Sequence, residues 1–249
     1  MKKILSILLT LCMVIGIALC GTVSAGAGLI GDLLVKGTIV GDILEKLPLL
    51  AKIAAYWYLI SEQESLWPEF EAGLLPGKTL DEIRAAMDTM EGTFEDMYLR
   101  DFFASTATTQ ELEQILAFFD KLFAESFTSE FLAKFYTFRD TLTQATDQFY
   151  RAYAKLGAMK LSGAIYLLPV DLRDEALELL AWLDNPDNID IPEDAASLAS
   201  LTARFADVIT RINTTMAKVE GYKPQWWKNL PAIVQWILRY VLFGWLWMK

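Results

Sequence analysis

Apolar residues recur at three- and four-residue spacing through the middle of this chain, and that periodicity narrows it to one kind of architecture. Leu112, Ile115, Leu116, Phe119, Leu122 and Phe123 form one stripe. Phe131, Leu132, Phe135, Phe138 and Leu142 form a second; Leu198, Leu201, Phe205, Val208, Ile209 and Ile212 form a third. Such spacing places each set on one face of an α-helix. No clean apolar–polar alternation bounded by hairpin turns competes with them. Amphipathic helices on short linkers bury their stripes against one another, so the expected fold class is all-α, a multi-helix bundle. The phenylalanines of the 119–149 region are expected to pack in its core rather than form an aromatic recognition surface.

Helix starts are legible as local hydrogen-bonding patterns. Thr79 with Glu82 and Thr108 with Glu111 read as capping boxes, in which a hydroxyl and a carboxylate satisfy exposed backbone amides. Asp190 with Glu193 reads the same way, with Pro192 in the first turn where proline is tolerated. Asp171, after Pro169, opens another expected helix. Trp67-Pro68, Leu75-Pro76-Gly77 and the acidic stretch 184–190 read as loops.

The two ends differ from this charged middle of 61–223. Lys2 and Lys3 precede an apolar run from Ile4 to Leu19, and small residues follow at Val23-Ser24-Ala25. This is the pattern of a secretory signal over 1–25, cut after Ala25; the alternative is an uncleaved N-terminal anchor. Both cysteines, Cys12 and Cys20, fall inside it, so the mature chain has no disulfide, thiol nucleophile or cysteine metal site. Lipidation at Cys20 is disfavoured, because a small residue is needed before that cysteine and Leu19 is not small. Segment 26–60 is apolar and punctuated by glycine. Ile30-Gly31-Asp32-Leu33-Leu34-Val35-Lys36 is echoed by Val40-Gly41-Asp42-Ile43-Leu44-Glu45-Lys46. A ten-residue shift turns the second copy about 80° around a helix, so two short helices hinged near Gly37-Thr38 are expected.

The C-terminal segment 224–249 is expected to be an apolar, tryptophan-rich helix. Leu230 to Met248 is interrupted only by Gln235, Arg239 and single small breakers. At helical rise it measures about 28 Å, close to the hydrocarbon thickness of a bilayer. Trp226, Trp227, Trp245 and Trp247 lie near its two ends, as in an interfacial aromatic belt, and Trp236 lies between. Arg239 at its midpoint costs roughly 2.5–3.5 kcal/mol on the insertion scale, and the leucine, isoleucine, valine and phenylalanine residues return about 0.3–0.6 each, so the sums nearly cancel. Lys223 and Lys228 would also remain outside, against the positive-inside bias. Gln235 and Arg239, four apart, share one polar line. That geometry suits a helix lying in the interface, a spanning helix whose arginine faces a partner, or a helix docked on the bundle. The expected contact residues are Trp226, Trp227, Trp236, Arg239, Trp245 and Trp247.

Composition then limits the chemistry. The 249 residues include 32 acidic and 22 basic side chains, a net charge of −10, and no histidine. Removing Lys2 and Lys3 takes two from the basic total and makes the mature charge −12. Nucleic acid and anionic lipid are thereby disfavoured as electrostatic partners. Histidine-based triads, zinc sites and imidazole acid–base mechanisms are removed outright. Ala72-Gly73-Leu74-Leu75-Pro76-Gly77-Lys78-Thr79 resembles a relaxed phosphate loop, but the acidic, proline-broken residues 62–71 before it are no strand. A Pro-Gly turn followed by a helix cap explains the same residues, and no nucleotide is expected. The acidic 184–194 stretch fails the calcium-loop spacing, since Pro186 occupies the second ligand position and the sixth lacks glycine. Asn213-Thr214-Thr215 is a glycosylation sequon inside an expected helix. Glu111, Glu113, Glu125 and Glu130 read as helix-surface or capping positions rather than a catalytic pair.

These readings point to an exported, non-catalytic helical protein that works at the cell envelope or surface. It would act through membrane or protein contacts made by the apolar 29–60 region and the tail, without cofactor or metal. Its partner would be a membrane or an envelope protein. The alternatives are a membrane-active pore-former or permeabiliser using the same segments, a soluble secreted protein, and, least favoured, a carboxylate-dependent secreted hydrolase.

Overall fold

The computed structural model describes residues 46–89, 108–161 and 163–223. Among these residues the regular structure is helical, with one isolated antiparallel bridge between Leu74 and Phe127 and no strand. The helices are α1 through 46–61, α2 Trp67–Gly73, α3 through 80–89 and α4 Thr109–Ala124. Then follow α5 Ser129–Leu161, α6 Val170–Leu183 and α7 Leu198–Gly221. The all-α bundle expected from periodicity is what the chain forms.

Two of the expected caps are present atom for atom. At α4 the Glu111 amide donates to Thr108 Oγ1 at 3.2 Å and the Thr108 amide donates to Glu111 Oε2 at 2.8 Å. The Thr108 amide, and the Thr108 hydroxyl donating to the same oxygen at 2.9 Å, hold the exposed Glu111 carboxyl below its usual range. Thr79 and Glu82 exchange the same pair of bonds at 3.2 Å each. Helix α6 starts where expected, but Pro169 is its N-cap and Asp171 sits in the first turn instead of capping.

The helix start assigned to Asp190 and Glu193 is corrected. Residues 190–197 are not helical, and α7 begins at Leu198, where Ser197 and Ser200 cap reciprocally at 3.1 Å. The reason is non-local. Gln63, only 1% exposed, donates its side-chain amide to the carbonyls of Pro192 at 2.8 Å and Glu193 at 2.9 Å. Ser65 Oγ donates to the Ala195 carbonyl at 2.9 Å, and Glu69 Oε2 accepts from the Leu198 amide at 2.9 Å. A strap whose carbonyls are held from the side cannot close them into helical turns.

The described residues fall into two compact units. The first comprises 46–89, 108–147 and 189–207. Its core is aromatic: the ring of Tyr56 lies 4.5 Å from Phe123, 4.8 Å from Phe135 and 5.5 Å from Phe119. Phe70 meets Phe131 at 5.0 Å and Phe127 at 5.8 Å. The inward residues of the stripes, Leu112, Ile115, Phe119, Phe123, Phe131, Phe135, Phe138, Leu142, Leu198, Leu201 and Phe205, are all buried. The phenylalanines are core, as their spacing implies.

The described part of the apolar 29–60 region is a second correction. Leu47, Leu50, Ile53, Tyr56, Trp57, Leu59 and Ile60 are buried in this core, so 46–60 is no contact element. A helix apolar on nearly every side belongs inside a bundle. Helix α1 stops just before Gln63, and the Trp67 indole donates to the Ile60 carbonyl at 3.1 Å, satisfying one orphan acceptor.

Helix α2 ends against Phe131. A Cβ built on Gly73 would stand 2.5 Å from that ring, so only glycine fits the approach. The Thr128 amide donates to the Gly73 carbonyl and the Leu75 amide to the Ser126 carbonyl, both at 2.9 Å. Residues 75–78 then make the Pro-Gly turn, with the Lys78 amide on the Leu75 carbonyl at 3.1 Å and Gly77 at φ 84. Helix and turn, not strand and phosphate cradle, occupy the loop-like motif.

The second unit comprises 148–161, 163–188 and 208–223. Helix α5 stops at Leu161, beyond which Gly163 takes φ 75, a left-handed conformation that ends helices. A 3-10 turn over Ala164–Leu167 leads into α6. The acidic stretch after α6 is a capped turn: Asn185 Oδ1 accepts from the Asp187 amide at 3.1 Å, and Asn188 donates to the Trp182 carbonyl at 2.8 Å. Asn213 lies exposed within α7, so the sequon is helical as expected.

Candidate functional site

The residues singled out for contact, Trp226, Trp227, Trp236, Arg239, Trp245 and Trp247, lie outside the described residues. So do the expected signal segment and the hinge expected near Gly37-Thr38. Among the described residues no helix is long and apolar enough to cross a membrane. Two arrangements stand out among the described residues: a polar cluster in the first unit, and the end of the second unit that holds Lys223.

The polar cluster joins α1, α4 and α5. Tyr56, fully buried, donates its hydroxyl proton to Asp120 Oδ1. Arg139 Nη1 donates to the Tyr56 hydroxyl at 2.9 Å and to Asp120 Oδ1 at 2.8 Å. Its Nη2 reaches Asp140 at 2.9 Å, and the guanidinium lies 4.6 Å from the centre of the Tyr136 ring. Burial, then the bond to Asp120, pushes the Tyr56 phenol far above its ordinary value, and Arg139 opposes this only in part. Tyr136 is pushed up by burial and by the Asp120 charge. Burial alone would lower Arg139, but Tyr56 and Asp140 outweigh it and push it up.

A general acid or base working near neutrality needs a pKa close to the ambient pH. Here the phenols and the guanidinium are driven away from neutrality, so they hold their protons. What the cluster does is satisfy a hydroxyl that the aromatic core has buried and tie three helices together. Sequence reasoning missed it; Asp120 and Arg139 sit among stripe residues, and only the packing of α1 against them reveals the set. The acids read as surface positions behave as such. Glu125 lies 3.9 Å from Lys121 and Glu130 lies 3.2 Å from Lys134, all four well exposed.

In the second unit a ladder of contacts fixes the direction of α7. Arg211 stacks over Trp182 at 4.5 Å and lies 3.9 Å from Glu178. Lys218 pairs with Glu175 at 2.7 Å. Glu220 pairs with Lys155 at 2.6 Å. As α7 advances from 211 to 218, its partners on α6 retreat from 182 to 175. It therefore runs antiparallel to α6 and points its C-terminus toward the connection between α5 and α6. Gly221 and Lys223 are exposed at that end.

No family model, curated protein or solved structure matches this chain. The functional reading therefore stands on the residues alone.

Proposed function

We propose that this is an exported, non-catalytic helical protein acting at the cell envelope or surface, with its tryptophan-rich tail as the element of contact. The observation supporting this most strongly is the break in character at the end of α7. The last described turns are amphipathic and ion-paired, with Val219 buried and Lys218 and Glu220 exposed. From Leu230 the sequence turns apolar for nineteen residues, and tryptophans stand at both of its ends. A water-exposed surface of that composition is rare, and an interfacial or membrane-partner role accounts for it. The basic signature at Lys2 and Lys3 followed by an apolar run supports export. Arg239 and Gln235, on one line, favour a helix that keeps a polar edge toward headgroups or a partner.

Flotation tests this reading. The chain from Gly26 to Lys249, mixed with phosphatidylcholine vesicles, is expected to rise with the lipid. Trp236→Glu with Trp245→Glu is expected to leave it behind. Recovery of the unsubstituted chain wholly in the aqueous fraction would refute the reading. Release of trapped dye by the bound chain would move the assignment to a permeabiliser.

A further inference from the structure

Among the described residues the exposed large apolar side chains all fall in one connection: Leu161 at 45%, Tyr166 at 63%, Leu167 at 47% and Val170 at 58%. The stretch 161–170 contains no charged residue and is bracketed by Lys160 and Asp171. The 3-10 turn divides it into two sides. Ala164, Ile165 and Leu168 point inward and are buried, so the core of this unit is already supplied there. Tyr166 and Leu167, between them, lie outside it, with the Arg173 guanidinium 6.0 Å from the centre of the Tyr166 ring. Large apolar side chains gathered in one exposed place are often functional.

We infer that this connection is a second lipid-facing element, which dips into the same membrane surface as the tail. The inference rests on the tail reading above and extends it to a site within the folded unit. Three observations support lipid as the occupant. First, α7 delivers the tail to this end. Glu220 is level with Lys155, six helical residues or about 9 Å short of Leu161, and Lys218 is level with Glu175, about 7.5 Å from Val170. Twenty-six residues follow Lys223, a length of chain ample for that distance at an extended reach of about 3.3–3.6 Å per residue. Second, the patch is small. Four half-exposed side chains offer roughly 400 Å², well below the area of about 800 Å² per partner that a stable protein interface buries. A shallow membrane dip, assisted by a tail, needs no more. Third, the chemistry is interfacial: a tyrosine among aliphatic side chains, with Lys160 beside it able to keep its ammonium in the headgroup layer. The acidic balance of the chain points to zwitterionic rather than anionic lipid.

The test uses the full mature chain, which lacks cysteine from Gly26 onward. An environment-sensitive nitrobenzoxadiazole label is attached at Tyr166→Cys and, as a control, at the exposed Glu113→Cys. Adding phosphatidylcholine vesicles is expected to raise the emission at 166 severalfold and move it to the blue, and to leave the emission at 113 unchanged. Tyr166→Asp with Leu167→Asp and Val170→Asp is expected to keep the helical circular dichroism and weaken vesicle partitioning about tenfold or more. Flotation of the chain with a silent label at 166, or undiminished partitioning of the triple variant, overturns this inference and leaves the tail reading standing. A label at 166 that is already blue without lipid shows protein covering the turn and also overturns it. Failure of the unsubstituted chain to float overturns both.

Discussion

Replacing Tyr56 by phenylalanine tests the polar cluster through its pH dependence. The substitution keeps the ring among Phe119, Phe123 and Phe135 and removes only the hydroxyl. Asp120 and Arg139 still meet at 2.8 Å, so neither charge is stranded. The expected cost at neutral pH is that of the hydroxyl's two hydrogen bonds, one to Asp120 and one from Arg139, about 1.5–3 kcal/mol. In the folded chain burial pushes the Tyr56 phenol up, while in the unfolded chain it titrates near its ordinary value. Above about pH 10 the unfolded wild type releases this proton and the folded state retains it, so wild-type stability falls as pH rises. Below that value its contribution is fully present. Relative to Tyr56→Phe, wild type should lose about 0.8 kcal/mol by pH 10.5 and about 1.4 kcal/mol by pH 11. The gap between the two stabilities should therefore narrow by about 1.4 kcal/mol between pH 8 and pH 11. Tyr58 is also pushed up by burial, but it is common to both chains and cancels in the difference; Tyr136 is hydrogen-bonded to the Tyr56 hydroxyl, so the two chains are compared in a Tyr136→Phe background. Urea unfolding at pH 8, 10, 10.5 and 11 measures the gap. A gap that stays constant across that series would show Tyr56 ionising as readily folded as unfolded, and the reasoning would be wrong.

Three further substitutions probe the packing. Gly73→Ala drives a methyl to 2.5 Å from the Phe131 ring, and the expected loss is about 1–3 kcal/mol by urea unfolding despite alanine's better helix propensity; an unchanged midpoint would contradict it. Gln63→Ala leaves the Pro192 and Glu193 carbonyls without their buried donor, and about 1–3 kcal/mol should be lost, with faster amide exchange across 190–198. Thr108→Ala removes the hydroxyl half of the α4 capping box and should cost about 1 kcal/mol, read as a lower melting temperature.

What was legible in the sequence is what nearest neighbours decide. The boxes at Thr79 and Thr108 need only residues three apart, and the structure forms both. The stripes fix one face per helix, and the centre of each face is buried, while Leu116, Leu122, Leu132 and Ile209 at its margins are partly exposed. Asp190 with Glu193 satisfied the same local rule yet starts no helix, because Gln63 and Ser65, some 130 residues away in sequence, take hold of the strap's carbonyls. Local patterns carry no information about such bonds. Apolar character also proved ambiguous. In 46–60 it marks the interior, whereas at Tyr166 and Leu167 it marks the surface, and the difference is set by a 3-10 turn that buries Ala164, Ile165 and Leu168 and turns the two residues between them outward. The Tyr56 cluster was invisible for a related reason: its members come from three helices and share no spacing.

Hydrogen exchange across residues 26–249, with and without phosphatidylcholine vesicles, tests the proposed membrane contact most directly. Lipid is expected to slow exchange in 161–170 and 224–249 and to leave 46–60 and 109–147 as they are in water. Unchanged exchange at both of the first two segments, or slowing confined to 46–60, would contradict the account.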